Sequence, residues 1–138
     1  MNHPQVLVYE TDGRLAGLLR DLAKERRWAL REPRRSEACL SLLQGGSPAV
    51  LVIRVGGDLV RQMTLLERVA WLCPEAATVV VSDDADELLA GLAWDLGASY
   101  VLFPPQSRDR LPCLVAELMG APPWGRGSQQ DEPAVEDA

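Results

Sequence analysis

Four short apolar runs, each ended by polar residues or prolines and separated from the next by sequence of helical spacing, constrain the fold of this chain most. They are Val6-Leu7-Val8-Tyr9, ending at Glu10-Thr11-Asp12, and Val50-Leu51-Val52-Ile53, ending at Arg54. Thr78-Val79-Val80-Val81 ends at Ser82, and Tyr100-Val101-Leu102-Phe103 ends at Pro104-Pro105. Runs of this length that are apolar on both faces are suited to strands of a parallel sheet covered by helices on each side.

The intervening segments supply the helices. Leu15, Leu18, Leu19, Leu22 and Ala23 recur at helical spacing and predict a helix over about 13–26, with Asp12 as its N-cap. Trp28-Ala29-Leu30 is a short strand closed by Pro33, and Ser36 can cap a helix over about 37–44 that Gly45-Gly46 ends. A helix over about 59–72 presents Leu59, Met63, Leu66, Ala70 and Cys73 as its core stripe, with Asp58 as N-cap and Leu65, Val69, Trp71 and Leu72 off the stripe. A further helix, about 85–96, carries Leu88, Leu89, Leu92, Ala93 and Leu96 on one face and stops at Gly97. The last, about 108–119, packs through Leu111, Leu114, Val115 and Leu118, with Pro112 tolerated near its first turn. Five strand–helix repeats with short connections imply an α/β fold, a flavodoxin-like (βα)5 three-layer sandwich with parallel strand order 2-1-3-4-5. Residues 1–119 form this domain, and 120–138 read as a disordered acidic tail containing Pro and Gly.

Composition removes several function classes. The three cysteines, Cys39, Cys73 and Cys113, lie far apart, as suits reduced, mostly buried thiols. His3 is the sole histidine and lies ahead of the first strand, which argues against a Ser-His-Asp triad, a multi-histidine metal site and a histidine-phosphotransfer helix. Lys24 is the sole lysine and falls in the first helix. No run approaches the roughly 18 apolar residues of a membrane span, and no basic-then-apolar signal segment precedes the first strand, so a cytoplasmic location is expected. The net charge of −6 argues against nucleic acid as the main partner. The charge is uneven: residues 1–70 hold 11 basic and 8 acidic side chains, residues 71–138 hold 3 and 12. Arg20, Lys24, Arg26, Arg27, Arg31, Arg34 and Arg35 crowd one stretch, either as a solvated face or as a docking surface for an acidic partner.

Over residues 5–119 the chain resembles the receiver domain of bacterial two-component response regulators. Ser82 precedes Gly97-Ala98 by fifteen residues, as the receiver Ser/Thr precedes Gly-Ala, and Pro104-Pro105 falls where receivers have Lys-Pro. Ser107-Arg108-Asp109 opens a final helix at the matching place, and the Pro-Pro pair is placed to hold the cis bond of that loop. The receiver site itself is degenerate. The resemblance implies an acidic pair after the first strand, where Glu10 keeps one carboxylate and Thr11 replaces the other. It implies a phosphoacceptor aspartate where Arg54 stands, a small residue where Asp83 stands, and a lysine where Pro104 stands. A guanidinium accepts no phosphoryl group and repels Mg²⁺. Two arrangements are open for it: an internal Arg54–Glu10 ion pair filling the metal site, or a side chain turned out to solvent.

These readings point to a stand-alone pseudo-receiver: a non-enzymatic adaptor without metal or cofactor, recognised by a signalling protein, a kinase or a second copy of itself. Receivers commonly use the face of helix four, strand five and helix five for such contacts. Here Trp94, beside Glu87, Ala90 and Gly91 and near Tyr100, is the candidate anchor on that face. The alternatives are an atypical phosphoacceptor using Glu10, Asp12 or Asp83, and a small-molecule-binding flavodoxin-like domain. Against the latter, Glu10-Thr11-Asp12-Gly13 offers one glycine and two negative charges, a poor phosphate loop.

Overall fold

The computed structural model describes residues 3–45 and 48–120. The elements run β1 (Gln5–Tyr9), α1 (Arg14–Arg26), β2 (Ala29–Arg31), α2 (Ser36–Leu43), β3 (Ala49–Val55) and α3 (Leu59–Leu72). They continue with β4 (Ala77–Ser82), α4 (Glu87–Asp95), β5 (Tyr100–Leu102), a 3₁₀ turn (Arg108–Arg110) and α5 (Leu111–Gly120). All strand pairs are parallel, in the order β2-β1-β3-β4-β5, so the flavodoxin-like topology is the one observed.

Strand parity sorts the core into two layers. Leu7, Leu51, Ile53, Val55 and Val80 face α2, α3 and α4, where they meet Cys39, Leu43, Leu65, Leu66, Val69 and Ala93. Val6, Val8, Val50, Val52, Val79 and Val81 face α1 and α5, where they meet Leu15, Leu19, Leu111, Leu114 and Val115. The β1–β3 register sets Val6 beside Val50 and Leu7 beside Leu51, so neighbouring strands deliver matching residues to the same layer. Full burial of a side chain such as Leu51 or Leu66 contributes about 1.5–3 kcal/mol, so the two layers outweigh any single surface contact.

Several expectations about helix faces and ends are corrected. In α3 the buried side is Gln62, Met63, Leu65, Leu66 and Val69, so Leu65 and Val69 belong to the core. Leu59 is exposed and Ala70 only partly buried, whereas Trp71 and Leu72 do face outward. In α4 the inward side is Ala93 with Leu89 and Leu96, and Leu88 and Leu92 are exposed. The short α4 begins at Glu87 because Asp86 caps it, its carboxylate accepting from the Leu89 N–H at 3.0 Å. Asp58 caps α3 as expected, accepting from the Arg61 N–H. Ser36 is the first residue of α2 and not its cap; Arg35 precedes that helix without a side-chain cap. The final helix is divided: Pro112 has no N–H to donate to the Arg108 carbonyl, and residues 108–110 tighten into a 3₁₀ turn before α5. The cysteines are free and mostly buried, as expected: Cys39 and Cys73 are buried and Cys113 is exposed. Burial pushes the Cys39 thiol up to about 12, which keeps it protonated and inert.

The peptide between Pro104 and Pro105 is cis. Helix α5 includes Gly120, one residue past the expected boundary; the rest of the expected tail, and Gly46, lie outside the described residues. Among the described residues no helix is long and apolar enough to cross a membrane.

One turn carries a steric demand that can be tested. Gly97, at φ +114°, redirects the chain from α4 into β5, and a Cβ built there would lie 2.6 Å from the Ala70 Cβ of α3. Both the backbone angle and the contact exclude a side chain. Gly97→Ala is expected to lower the unfolding free energy in urea by about 2 kcal/mol. An unchanged midpoint would contradict this packing.

Candidate functional site

The C-terminal ends of the parallel strands share one rim, where open α/β sheets carry their sites. A cleft of about 510 Å³ opens there, lined by Tyr9, Glu10, Arg34, Arg54, Arg61 and Asp83 among others. Arg54 has the strand parity of Val50 and Val52, which puts its side chain on the α1/α5 side of the sheet, at the end of β3. From there its two terminal nitrogens reach two carboxylates on different loops: one donates to Asp12 in the β1–α1 loop, the other to Asp83 in the β4–α4 loop. Arg108, in the turn before α5, makes an ion pair with the other carboxylate oxygen of Asp83. Two guanidiniums and two carboxylates therefore alternate across the rim, and their charges cancel.

The expected Arg54–Glu10 pair is not formed, and neither is an outward-pointing arginine; the Arg54 side chain is 19% exposed. Glu10 is engaged elsewhere. Its two oxygens accept from the backbone N–H groups of Leu15 and Ala16, each at 3.0 Å, so it caps the first turn of α1. Gly13, at φ +76°, is the residue in the cap position and has no side chain to offer, which leaves that role to Glu10. Asp12, expected as the N-cap, instead accepts from the Arg14 N–H at 3.0 Å and turns its second oxygen to Arg54.

The remaining positions that the resemblance singled out also have local roles. Ser82 is buried, and its hydroxyl closes a turn with Asp84, accepting from the Asp84 N–H and donating to the Asp84 carbonyl. Thr11 is exposed, and Pro104 lies partly buried in its cis dipeptide. Two contributors escaped the sequence reading. Arg108 supplies a cation to the rim from four residues beyond Pro104, and Gln62 pins the β3–α3 loop by bonding both the N–H and the carbonyl of Gly56. Among the described residues no group of three or more His, Cys, Asp or Glu side chains is arranged to hold a metal ion. Mg²⁺ prefers several oxygen ligands and a net negative cage, whereas here Asp12 and Asp83 are each paired with a guanidinium and Glu10 is bonded to backbone N–H groups.

The proposed contact residues lie apart from this rim. Trp94 is 48% exposed, and its ring meets that of Tyr100 edge to face, with centroids 6.0 Å apart. Glu87 and Gly91 are exposed, while Ala90 packs partly against the core.

No protein-family model matches the sequence, and the curated proteins contain no match to it. Solved structures do match. A response regulator from Thermotoga maritima aligns with a TM-score of 0.70 at 14% identity, covering 88% of this chain and all of the other. The receiver domain of NtrX from Brucella abortus aligns at 0.68 and 20% identity, covering 85% of this chain and 99% of that domain. A CheY-like receiver domain protein from Methanospirillum hungatei aligns at 0.67 and 13%, covering 87% and 95%. This chain thus has the receiver fold of two-component signalling.

Asp12 gives the site a pH signature. The Arg14 N–H first, and then the hydrogen bond and charge of Arg54, hold its carboxyl below the usual aspartate value, against an opposing contribution from desolvation. Because the folded chain binds this proton less readily than the unfolded one, the contribution is present above the ordinary aspartate value and is lost as pH falls through the depressed value. Arg54→Ala removes two of the causes. Its unfolding free energy should depend less steeply on pH across that acid window than that of the wild type, measured by denaturant melts at successive pH values. Identical slopes would show that Arg54 does not act on Asp12.

Proposed function

We propose that this chain is a pseudo-receiver: a receiver scaffold that transmits by being bound by a protein partner, without accepting a phosphoryl group and without catalysing a reaction. The observation that carries this reading is the Arg54 guanidinium held between Asp12 and Asp83. Arginine stays charged at every accessible pH and cannot be an acceptor, so the position opposes both the metal and the chemistry. Each candidate replacement acceptor is already committed, Glu10 to the first turn of α1, Asp12 and Asp83 to guanidiniums. A phosphoryl group on any of them would have to break those bonds.

Recognition is assigned to the α4–β5–α5 face, with Trp94 as anchor and Glu87, Ala90, Gly91 and Tyr100 around it. The edge-to-face contact with Tyr100 holds the indole in one orientation while half its surface stays accessible, which lowers the ordering cost of binding. A signalling protein, a kinase or a second copy of the chain fits such a surface. The rim cleft supports a second reading, a small-molecule site. Its volume of about 510 Å³ would accommodate a modest ligand, and its walls carry charges of both signs, Arg34 and Arg61 among them.

The test joins chemistry to recognition. After incubation with acetyl phosphate and Mg²⁺, the intact mass should be unchanged, and capture of a partner from native cells should proceed equally well in EDTA. Trp94→Ala should reduce that capture about tenfold or more. A mass increase of one phosphoryl group on a carboxylate, or capture that requires Mg²⁺ and acetyl phosphate, would refute the reading. A metabolite released by denaturing the purified protein would favour the second one.

A further inference from the structure

The basic side of the domain holds more positive charge than its own folded surface neutralises. Arg20 pairs with Glu32 at 3.7 Å. Among the described residues, Lys24, Arg26, Arg27 and Arg31 make no ion pair within 4.0 Å. Lys24 and Arg26 complement the C-terminal end of the α1 dipole, and Arg26 also lies over the Trp28 ring at 5.8 Å. Neither effect accounts for Arg27 or for Arg31, which stands on β2, an edge strand paired only with β1, and whose Nε donates to the neutral Gln5 Oε1 at 3.2 Å, leaving its charge uncompensated.

Topology brings Gly120, the last of the described residues, to this same place. Helices α1 and α5 both return from the C-terminal rim of the parallel sheet to its opposite edge, on the same face and in contact. Leu118 and Met119, in the last turn of α5, share a cluster with Leu18 and Trp28. The chain therefore leaves Gly120 beside the basic end of α1. Eighteen residues follow, and Asp131, Glu132, Glu136 and Asp137 give them four carboxylates against the single cation of Arg126. The eleven residues from Gly120 to Asp131 span at most about 36 Å when extended, whereas α1 is only about 20 Å long. Every basic group of that face is within reach.

We propose that segment 121–138 docks in cis on the basic face formed by α1 and β2, its carboxylates pairing with Lys24, Arg26, Arg27 and Arg31. Tethering gives the tail an effective concentration of roughly millimolar order, so individually weak, partly exposed pairs suffice to hold it. The contact covers the cationic face, and an acidic partner reaches that face only by displacing the tail. This inference is independent of the phosphorylation site and of the Trp94 surface.

Lys24, the only lysine, makes the contact directly readable. A zero-length carbodiimide joins carboxylates to amines, and peptide mapping of the full chain locates each link. At low salt the monomeric product should contain Lys24 joined to Asp131, Glu132, Glu136 or Asp137. The yield should fall several-fold at about 1 M salt, where the screening length shrinks to roughly 3 Å. Overall consumption of Lys24 should likewise fall in the variant carrying Asp131→Asn, Glu132→Gln, Glu136→Gln and Asp137→Asn, which removes every acidic side chain of segment 121–138. Lys24 linked only to neighbours on α1, tail links found only between chains in an isotope-mixed sample, or tail links indifferent to salt would each overturn the proposal.

Discussion

A guanidinium fixed between carboxylates of two separate loops ties together the rim at the C-terminal ends of the strands. Arg54 joins the β1–α1 loop to the β4–α4 loop, and through the shared Asp83 the turn before α5 is joined as well. The arrangement depends on strand parity, because Arg54 follows Val50 and Val52 onto the α1/α5 side, the side from which Arg108 also approaches. The charge has no off state, since arginine does not lose its proton in proteins. A rim that would need surplus negative charge for Mg²⁺ is electrically balanced instead, and the balance is built into the covalent sequence.

Glu10 and Ser82 both serve the local structure of the loops at the rim. Glu10 closes the N-terminus of α1 with both its oxygens, and Ser82 closes the β4–α4 turn with its hydroxyl. These groups stand where a receiver keeps its metal and phosphoryl contacts, but their hydrogen-bonding capacity is directed at the backbone. The loop after β5 holds a cis Pro104-Pro105 peptide, and α4 presents outward a half-exposed Trp94 together with exposed Leu88 and Leu92.

Much of the fold was legible in the sequence because its strands are short valine- and leucine-rich runs with sharp polar ends. The α3 boundaries were legible to the residue, since Asp58 and Pro74 bracket the helix, and the β4 run was legible to within one residue at each end. Helix faces were harder to read. In α3, Leu59, Val60, Leu65, Leu66, Val69 and Leu72 place apolar groups nearly all round the helix, so periodicity alone could not single out the buried side, and packing selected Leu65 and Val69. The same ambiguity misplaced Leu88 and Leu92 in α4. At the site, the replacement of an acceptor by Arg54 was plain, but its partner was not. Glu10 and Asp12 sit two residues apart, and the left-handed backbone of Gly13 determines which of them caps α1 and which remains for the arginine. Arg108 carried one usable signal: with Arg110 it is the only cation among residues 71–120, in a loop that lacks the lysine its resemblance calls for.

The claim that a resident cation has taken the metal's place is tested most directly by titrating the wild-type chain with Mg²⁺ while following its backbone amide resonances. The amides of Glu10, Asp12, Arg54 and Asp83 should move no more than in a control titration matched for ionic strength. A saturable shift confined to those residues would mean that the ion enters the rim despite Arg54, and the account would fail.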